Sequence, residues 1–229
     1  MPSKIALVTG ANGGLGTHVT NALLDAGFLV AGLAPKIGPH DFDHPHFTAL
    51  PATLNSLDEA KKAVETVIAH FGKIDLLAHT VGGFAGGQSV VDTDDATFQR
   101  MFDMNLKSAF HILRAVIPPM RSARAGRIVA IASRAAESPG ANVGAYSASK
   151  AALVSLIRTV AIENKDTGIT ANAILPGTID TAANRAAMPG ADVSQWVKPE
   201  SIASLIVWLA GDDAKDVTGT TIPVYGKGL

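Results

Sequence analysis

The chain contains no cysteine. That excludes disulfides, zinc–thiolate centres and thiol nucleophiles, and it fits a reducing compartment. Charge is scarce too. Only 17% of residues are charged and the formal net charge is −1, so no strong attraction to nucleic acid or anionic lipid is expected. A long uninterrupted apolar run is also missing. The uncharged stretch 76–91 is broken by glycines and by His79, which makes it a poor membrane span. The first apolar run starts at Ile5, directly after Met1-Pro2-Ser3-Lys4, leaving no room for a signal peptide. The expectation is a cytoplasmic protein whose partner is a small molecule.

What is present is apolar and periodic. Of 229 residues, 47% are hydrophobic, enough for a sizeable core. Apolar runs of strand length fall at 5–8, 28–33, 47–50, 74–78, 127–132, 169–175 and 220–224. Segments of helical period fall between them at 15–26, 56–71, about 94–122, 145–164 and 199–210. Ser56 is a plausible N-cap with Glu59 three residues on, and Pro199 suits a first helical turn. Strand–helix alternation along the whole chain implies an α/β fold: a doubly wound, Rossmann-type parallel sheet of about seven strands with helices on both faces. No linker, repeat or internal boundary interrupts it, so residues 1–229 read as a single domain. Residues 34–46 are rich in Pro, Gly and His and lack helical period. The helix due between the second and third strands is expected to be shortened or lost there.

The segment Thr9-Gly10-Ala11-Asn12-Gly13-Gly14-Leu15-Gly16 joins the first strand to the first helix. Glycines at 10, 14 and 16 let backbone N–H groups approach a pyrophosphate that rests on a helix N-terminus. An ordinary glycine-rich turn would look similar; the position after a strand and before a helix favours the phosphate. Tyr146 and Lys150 stand four residues apart, on one face of a helix. A free tyrosine is a poor base at neutral pH. A neighbouring ammonium is expected to lower its pKa, so that Tyr146 can exchange a proton with a carbonyl or alcohol oxygen. Lys150 can also reach a cofactor ribose. In isolation the pair is as consistent with a solvated helix face. Context favours chemistry: Ser133 ends the fifth strand, where ligands of such sheets bind, and Asn105 sits mid-helix, where asparagine has no propensity advantage. Asn105 is expected to position a proton-relay water.

In order and spacing, the phosphate loop, Asn105, Ser133, Tyr146 and Lys150 resemble the short-chain dehydrogenase/reductase family, over almost the whole chain. The resemblance implies a catalytic tetrad of Asn105, Ser133, Tyr146 and Lys150. It further implies cofactor contacts from Gly10, Asn12, Gly13, Gly14, Leu15, Gly16, Val81, Gly82, Tyr146 and Lys150. The segment Pro176-Gly177-Thr178-Ile179-Asp180-Thr181 looks like the family's stretch that meets the nicotinamide carboxamide, with Pro176, Gly177, Ile179 and Thr181 as contacts. A homodimer or homotetramer is implied, with the helices at 94–122 and around Tyr146 at the interface.

Two departures stand out. His79-Thr80-Val81-Gly82 replaces the family's Asn-rich tetrapeptide. NAD-preferring members end the second strand with an acid, whereas here Ala34-Pro35-Lys36 follows. Lys36 can attract a 2′-phosphate, which favours NADP(H), with NAD(H) the alternative. Residues 82–87 and 175–196 are similar to dihydropteridine reductases, although those lack the serine that this chain has at 133. His40, Asp41, Asp43, His44 and His46 are of metal-ligand type but irregularly spaced, and no metal is expected. Residues 182–197 are expected to form a lid, with Met188 and Trp196, together with Phe84, meeting the substrate. The function implied is NAD(P)H-dependent hydride transfer to a carbonyl or quinonoid dihydropteridine, with Tyr146 as proton donor. The alternatives are a general ketone or 3-oxoacyl reductase or alcohol dehydrogenase, and a non-catalytic dinucleotide sensor that would need no intact tetrad.

Overall fold

The computed structural model describes residues 3–227. Seven strands form one sheet: β1 (Ile5–Thr9), β2 (Leu29–Ala34), β3 (Phe47–Pro51), β4 (Leu76–His79), β5 (Gly126–Ile131), β6 (Ile169–Pro176) and β7 (Thr221–Val224). Their order is β3-β2-β1-β4-β5-β6-β7 and every pairing is parallel. The direction of winding therefore reverses between β1 and β4, and a crevice opens at the carboxyl ends of these two strands.

Five helices cover the sheet. α2 (Leu57–Phe71), α4 (Ser108–Ala123) and α5 (Gly144–Glu163) lie on the face that presents Leu7, Leu77 and Ile128. α1 (Gly16–Asp25) and α7 (Pro199–Leu209) lie on the face that presents Val8, Leu76 and Val129. Alternate residues of one strand thus enter different cores, which is why the strands read as continuous apolar runs. Each such side chain contributes roughly 1.5–3 kcal/mol by leaving water.

Local signals behave as their chemistry dictates. Ser56 caps α2 with Glu59 in a reciprocal pair, and Gly72, at φ 82°, ends the helix in the left-handed region. Between β2 and β3 only a 3-10 turn, Pro39–Asp41, replaces a helix. The expected long helix is three pieces: α3 (Asp95–Phe102), a π-helical turn (Asp103–Lys107) and α4. The stretch expected as a loop over 182–197 holds a short helix, α6 (Ala182–Ala187), and a 3-10 turn, Val193–Gln195. Among the described residues no helix is long and apolar enough to cross a membrane, and no group of three or more His, Asp or Glu side chains could hold a metal ion.

Candidate active site

Tyr146, Ser133, Lys150, Asn105 and the glycine-rich loop meet at the crevice. The loop folds tightly on itself. Gly10, at φ 71°, donates its N–H to Leu33 O at 2.7 Å, and Gly13 donates back to Gly10 O at 2.9 Å. A Cβ at Gly16 would stand 1.9 Å from Gly10 O, so no other residue fits there. Leu15 is buried while Asn12, Gly13 and Gly14 stay exposed. A Cβ at Gly14 would press to 3.2 Å on Thr181. The loop and the segment after β6 therefore pack directly against one another at this point.

The rest of that segment is braced by its own bonds. Gly177 N donates to Val224 O at 2.9 Å. Ile179 bridges to Val197 and accepts from Asn184 Nδ2 at 2.8 Å. Pro176 ends β6, and Thr181 caps α6 by accepting from Asn184 N. Asp180, its side chain only 6% exposed, is gripped by Arg185 at 2.6 and 2.9 Å and by Lys198 at 2.6 Å. These cations hold its carboxyl well below the usual carboxylate range. Arg185 belongs to α6 and Lys198 follows Val197, so one carboxylate ties both ends of the 182–197 segment. Met188 and Trp196 lie within that segment. Trp196 makes no ring contact with Phe84 or Tyr146 among the described residues.

On the other side of the loop, a cleft of about 490 Å³ runs between the ends of β2, β3 and β4. Its walls include Ala34, Pro35, Leu54, Val81 and Met104. Asn12 Nδ2 donates to Lys36 O at 2.7 Å, which anchors the Lys36 backbone beside the phosphate loop. The cleft and the exposed loop fit a dinucleotide: a largely apolar slot for the base, and a glycine-lined backbone at a helix N-terminus for the phosphates.

The catalytic candidates form one polar knot beneath the loop Gly82–Gly83. Asn105 is fully buried in the π-helical turn. Its Oδ1 accepts from Gly83 N at 2.8 Å, and its Nδ2 donates to Gly83 O and to Ser149 Oγ, both at 3.0 Å. Ser149 Oγ in turn donates to Tyr146 O at 2.7 Å. These bonds tie the side chain to protein groups and fix the Gly83 backbone against α5. Lys150, also buried, donates from Nζ to Ile131 O at 2.9 Å. Burial brings its pKa down to about 8. A Cβ at Gly82 would lie 2.9 Å from Lys150 Nζ and 3.0 Å from Asn105 Oδ1, so glycine leaves room for both.

Tyr146 departs from expectation. Burial raises its pKa above the ordinary value, and a hydrogen bond with Ser133 only partly opposes that. The ammonium that was expected to acidify it is occupied with the Ile131 carbonyl. Ser133 Oγ also accepts from Ala135 N at 3.1 Å, which holds the hydroxyl at the start of a 3-10 turn. Phe84 stacks edge-on against Tyr146, with ring centroids 5.0 Å apart.

Two participants were not found from sequence. Ser149 had no motif to mark it. His79, expected to replace a structural amide, is 2% exposed, and its Nδ1 lies 2.8 Å from Thr9 Oγ1 while Nε2 has no partner. Burial, aided by the charge on Lys150, depresses its pKa to about 3. The π-helical turn did leave a signal, the asparagine in mid-helix.

The family model for short chain dehydrogenases matches residues 4–191. A 3-oxoacyl-acyl-carrier-protein reductase of Salmonella typhimurium is 31% identical, over 97% of this chain and 96% of its own. A 7alpha-hydroxysteroid dehydrogenase of Escherichia coli is 29% identical, over 100% of this chain and 95% of its own. The structure titled ElxO with NADP bound superposes with a TM-score of 0.92 at 21% identity, over 98% of both chains, and shows the same fold. A dihydropteridine substrate finds no support in these relatives, which are named for 3-oxoacyl and hydroxysteroid chemistry. The chain belongs to the short-chain dehydrogenase family and is an NAD(P)-dependent oxidoreductase.

Proposed function

We propose that the enzyme works as a reductase of ketones or 3-oxoacyl compounds, with Tyr146 as proton donor. One observation carries this reading: the half-buried Tyr146 phenol, its pKa raised, is hydrogen-bonded to Ser133 just beyond the carboxyl end of β5. A raised pKa keeps Tyr146 protonated at neutral pH. That is the state needed to give a proton to a carbonyl oxygen as negative charge develops on it. In the reverse reaction the same oxygen takes the proton back, as microscopic reversibility requires.

When bound, the nicotinamide cofactor supplies the hydride. The chain's own residues do the rest. Ser133 orients the carbonyl oxygen and Tyr146 protonates it. Lys150 stabilises the phenolate left behind, and Asn105, through Ser149 and Gly83, holds the floor of the site. Gly10, Gly13, Gly14, Leu15 and Gly16 offer backbone to the pyrophosphate, and Val81, Gly82, Pro176, Gly177, Ile179 and Thr181 flank the nicotinamide end. Lys36, with no carboxylate at the end of β2, favours NADP(H) over NAD(H). Residues 182–197 close over the substrate with Met188 and Trp196.

The test is Tyr146→Phe. We expect NADPH affinity to be unchanged and turnover of a 3-oxoacyl ester to fall by about a hundredfold. Near-normal turnover would refute the proton-donor role, and tighter binding of NADH than NADPH would refute the cofactor assignment. The partly exposed apolar face shared by Phe102, Leu106, Phe110 and Leu156 is assigned to a homodimer or homotetramer contact. A monomer in sedimentation velocity would refute that.

A further inference from the structure

A second chamber lies beyond Phe84. It has a volume of about 360 Å³, and its walls include Phe84, Gln88, Thr93, Arg100, Asn142 and Ala145. Ala145 directly precedes Tyr146, and Phe84 is the ring that stacks on Tyr146, so the chamber shares a wall with the proton donor. Arg100 is the sole charge among the described residues lining it, and it makes no ion pair within 4 Å among the described residues. The nearby carboxylates are engaged locally. Asp92 accepts from the Ser89 hydroxyl, and Asp94 accepts from the amide and hydroxyl of Thr97 as the cap of α3. Arg100 is close enough to help lower the pKa of Asp94, but not to pair with it. The lining thus combines an arginine outside any ion pair of the described residues with two amide-bearing residues, Gln88 and Asn142, and an aromatic ring. That is donor chemistry suited to a carboxylate.

Phe84 is the divider between the two compartments. It is 66% exposed and flanked by Gly82, Gly83, Gly86 and Gly87. A Cβ at Gly86 would stand 2.7 Å from the tip of the Phe84 ring, so the ring reaches in over glycine backbone. An aliphatic chain can pass along such a ring from one compartment to the other.

We propose that this chamber binds the anionic tail of the substrate: an oxo acid whose carbonyl sits at Tyr146 and whose carboxylate, several atoms away, is held by Arg100. The proposal rests on the reductase reading above and narrows it to a substrate class. The experiment compares a homologous series of straight-chain oxo acids with their methyl esters, for wild type, Arg100→Gln and Arg100→Lys, with NADPH. In wild type we expect one chain length at which the acid exceeds its ester about tenfold in kcat/KM. In Arg100→Gln that ratio falls to near one through KM, and Arg100→Lys restores part of it. In parallel, the matching saturated acids, which cannot react, are titrated calorimetrically into the NADP⁺-bound protein; their binding weakens about tenfold in Arg100→Gln. Reduction of esters with no advantage for acids at any length overturns the chamber and leaves the reductase standing. Arg100-dependent binding of the saturated acids without turnover of either class overturns the reductase and leaves the chamber. Acid binding that is indifferent to Arg100 overturns the assignment whatever the turnover.

Discussion

The buried histidine at 79 makes a quantitative test of the site's interior. Its pKa is held near 3 in the folded chain against an ordinary value of 6.5. The causes are burial first and the Lys150 charge second. The unfolded chain therefore takes up a proton that the folded chain refuses, over the whole interval between those values. Stability is full above pH 6.5 and declines as pH falls through that value towards about 3. Each pH unit fully inside the interval costs about 1.4 kcal/mol. Between pH 6.5 and about pH 5, with the unfolded histidine already half titrated at the start, the loss is about 2 kcal/mol. The lower limit is chosen to stay above the range in which carboxylates titrate. The perturbation is His79→Asn, which keeps an amide for the Thr9 hydroxyl and has no proton to gain. Urea unfolding of both proteins, at fixed protein concentration and ionic strength, gives the stability at each pH. Wild type should lose about 2 kcal/mol over this window more than the variant does. Parallel curves for the two proteins would refute the claim that His79 is buried neutral.

Two further outcomes follow from the contacts around the site. Gly82→Ala places a methyl against Lys150 Nζ and Asn105 Oδ1, so it should destabilise by about 1–3 kcal/mol and lower turnover, as unfolding and steady-state assays would show; unchanged behaviour in both would mean the lysine is not where it is described. Asp180→Asn removes the shared partner of Arg185 and Lys198, so limited proteolysis within 182–197 should speed up and KM should rise; an unaltered cleavage rate would refute the role of Asp180 in holding that segment.

The sheet was legible because its inner strands are buried on both faces, and such strands announce themselves as apolar runs. The caps were legible because they are local: Ser56 and Glu59 meet within one turn, with no help from distant chain. The loss of a helix in 34–46 was legible for the same reason. What escaped were properties set by packing. Asn105 reads as a catalytic side chain, yet whether its amide faces solvent or backbone depends on Gly83, 22 residues away, and on Ser149, 44 residues away. The expected acidification of Tyr146 rested on helical spacing alone. Spacing puts Tyr146 and Lys150 on one face, but it does not say which acceptor the ammonium finds, and Ile131 O is contributed by a strand. His79 read as a departure from pattern, and only its burial between Thr9 and Lys150 gives it a titration to test.

These packing effects bear on the proton the site would exchange. Lys150 is buried and bonded to a carbonyl, and its pKa of about 8 leaves it mostly charged at neutral pH. Tyr146 is half-buried, and desolvation holds it neutral. Desolvation works against both groups as ions when they are taken singly, so a phenolate formed by proton transfer would depend on a nearby cation for its stability. The polar knot of Asn105, Ser149 and Gly83 ties α5, which carries both side chains, to the loop above it.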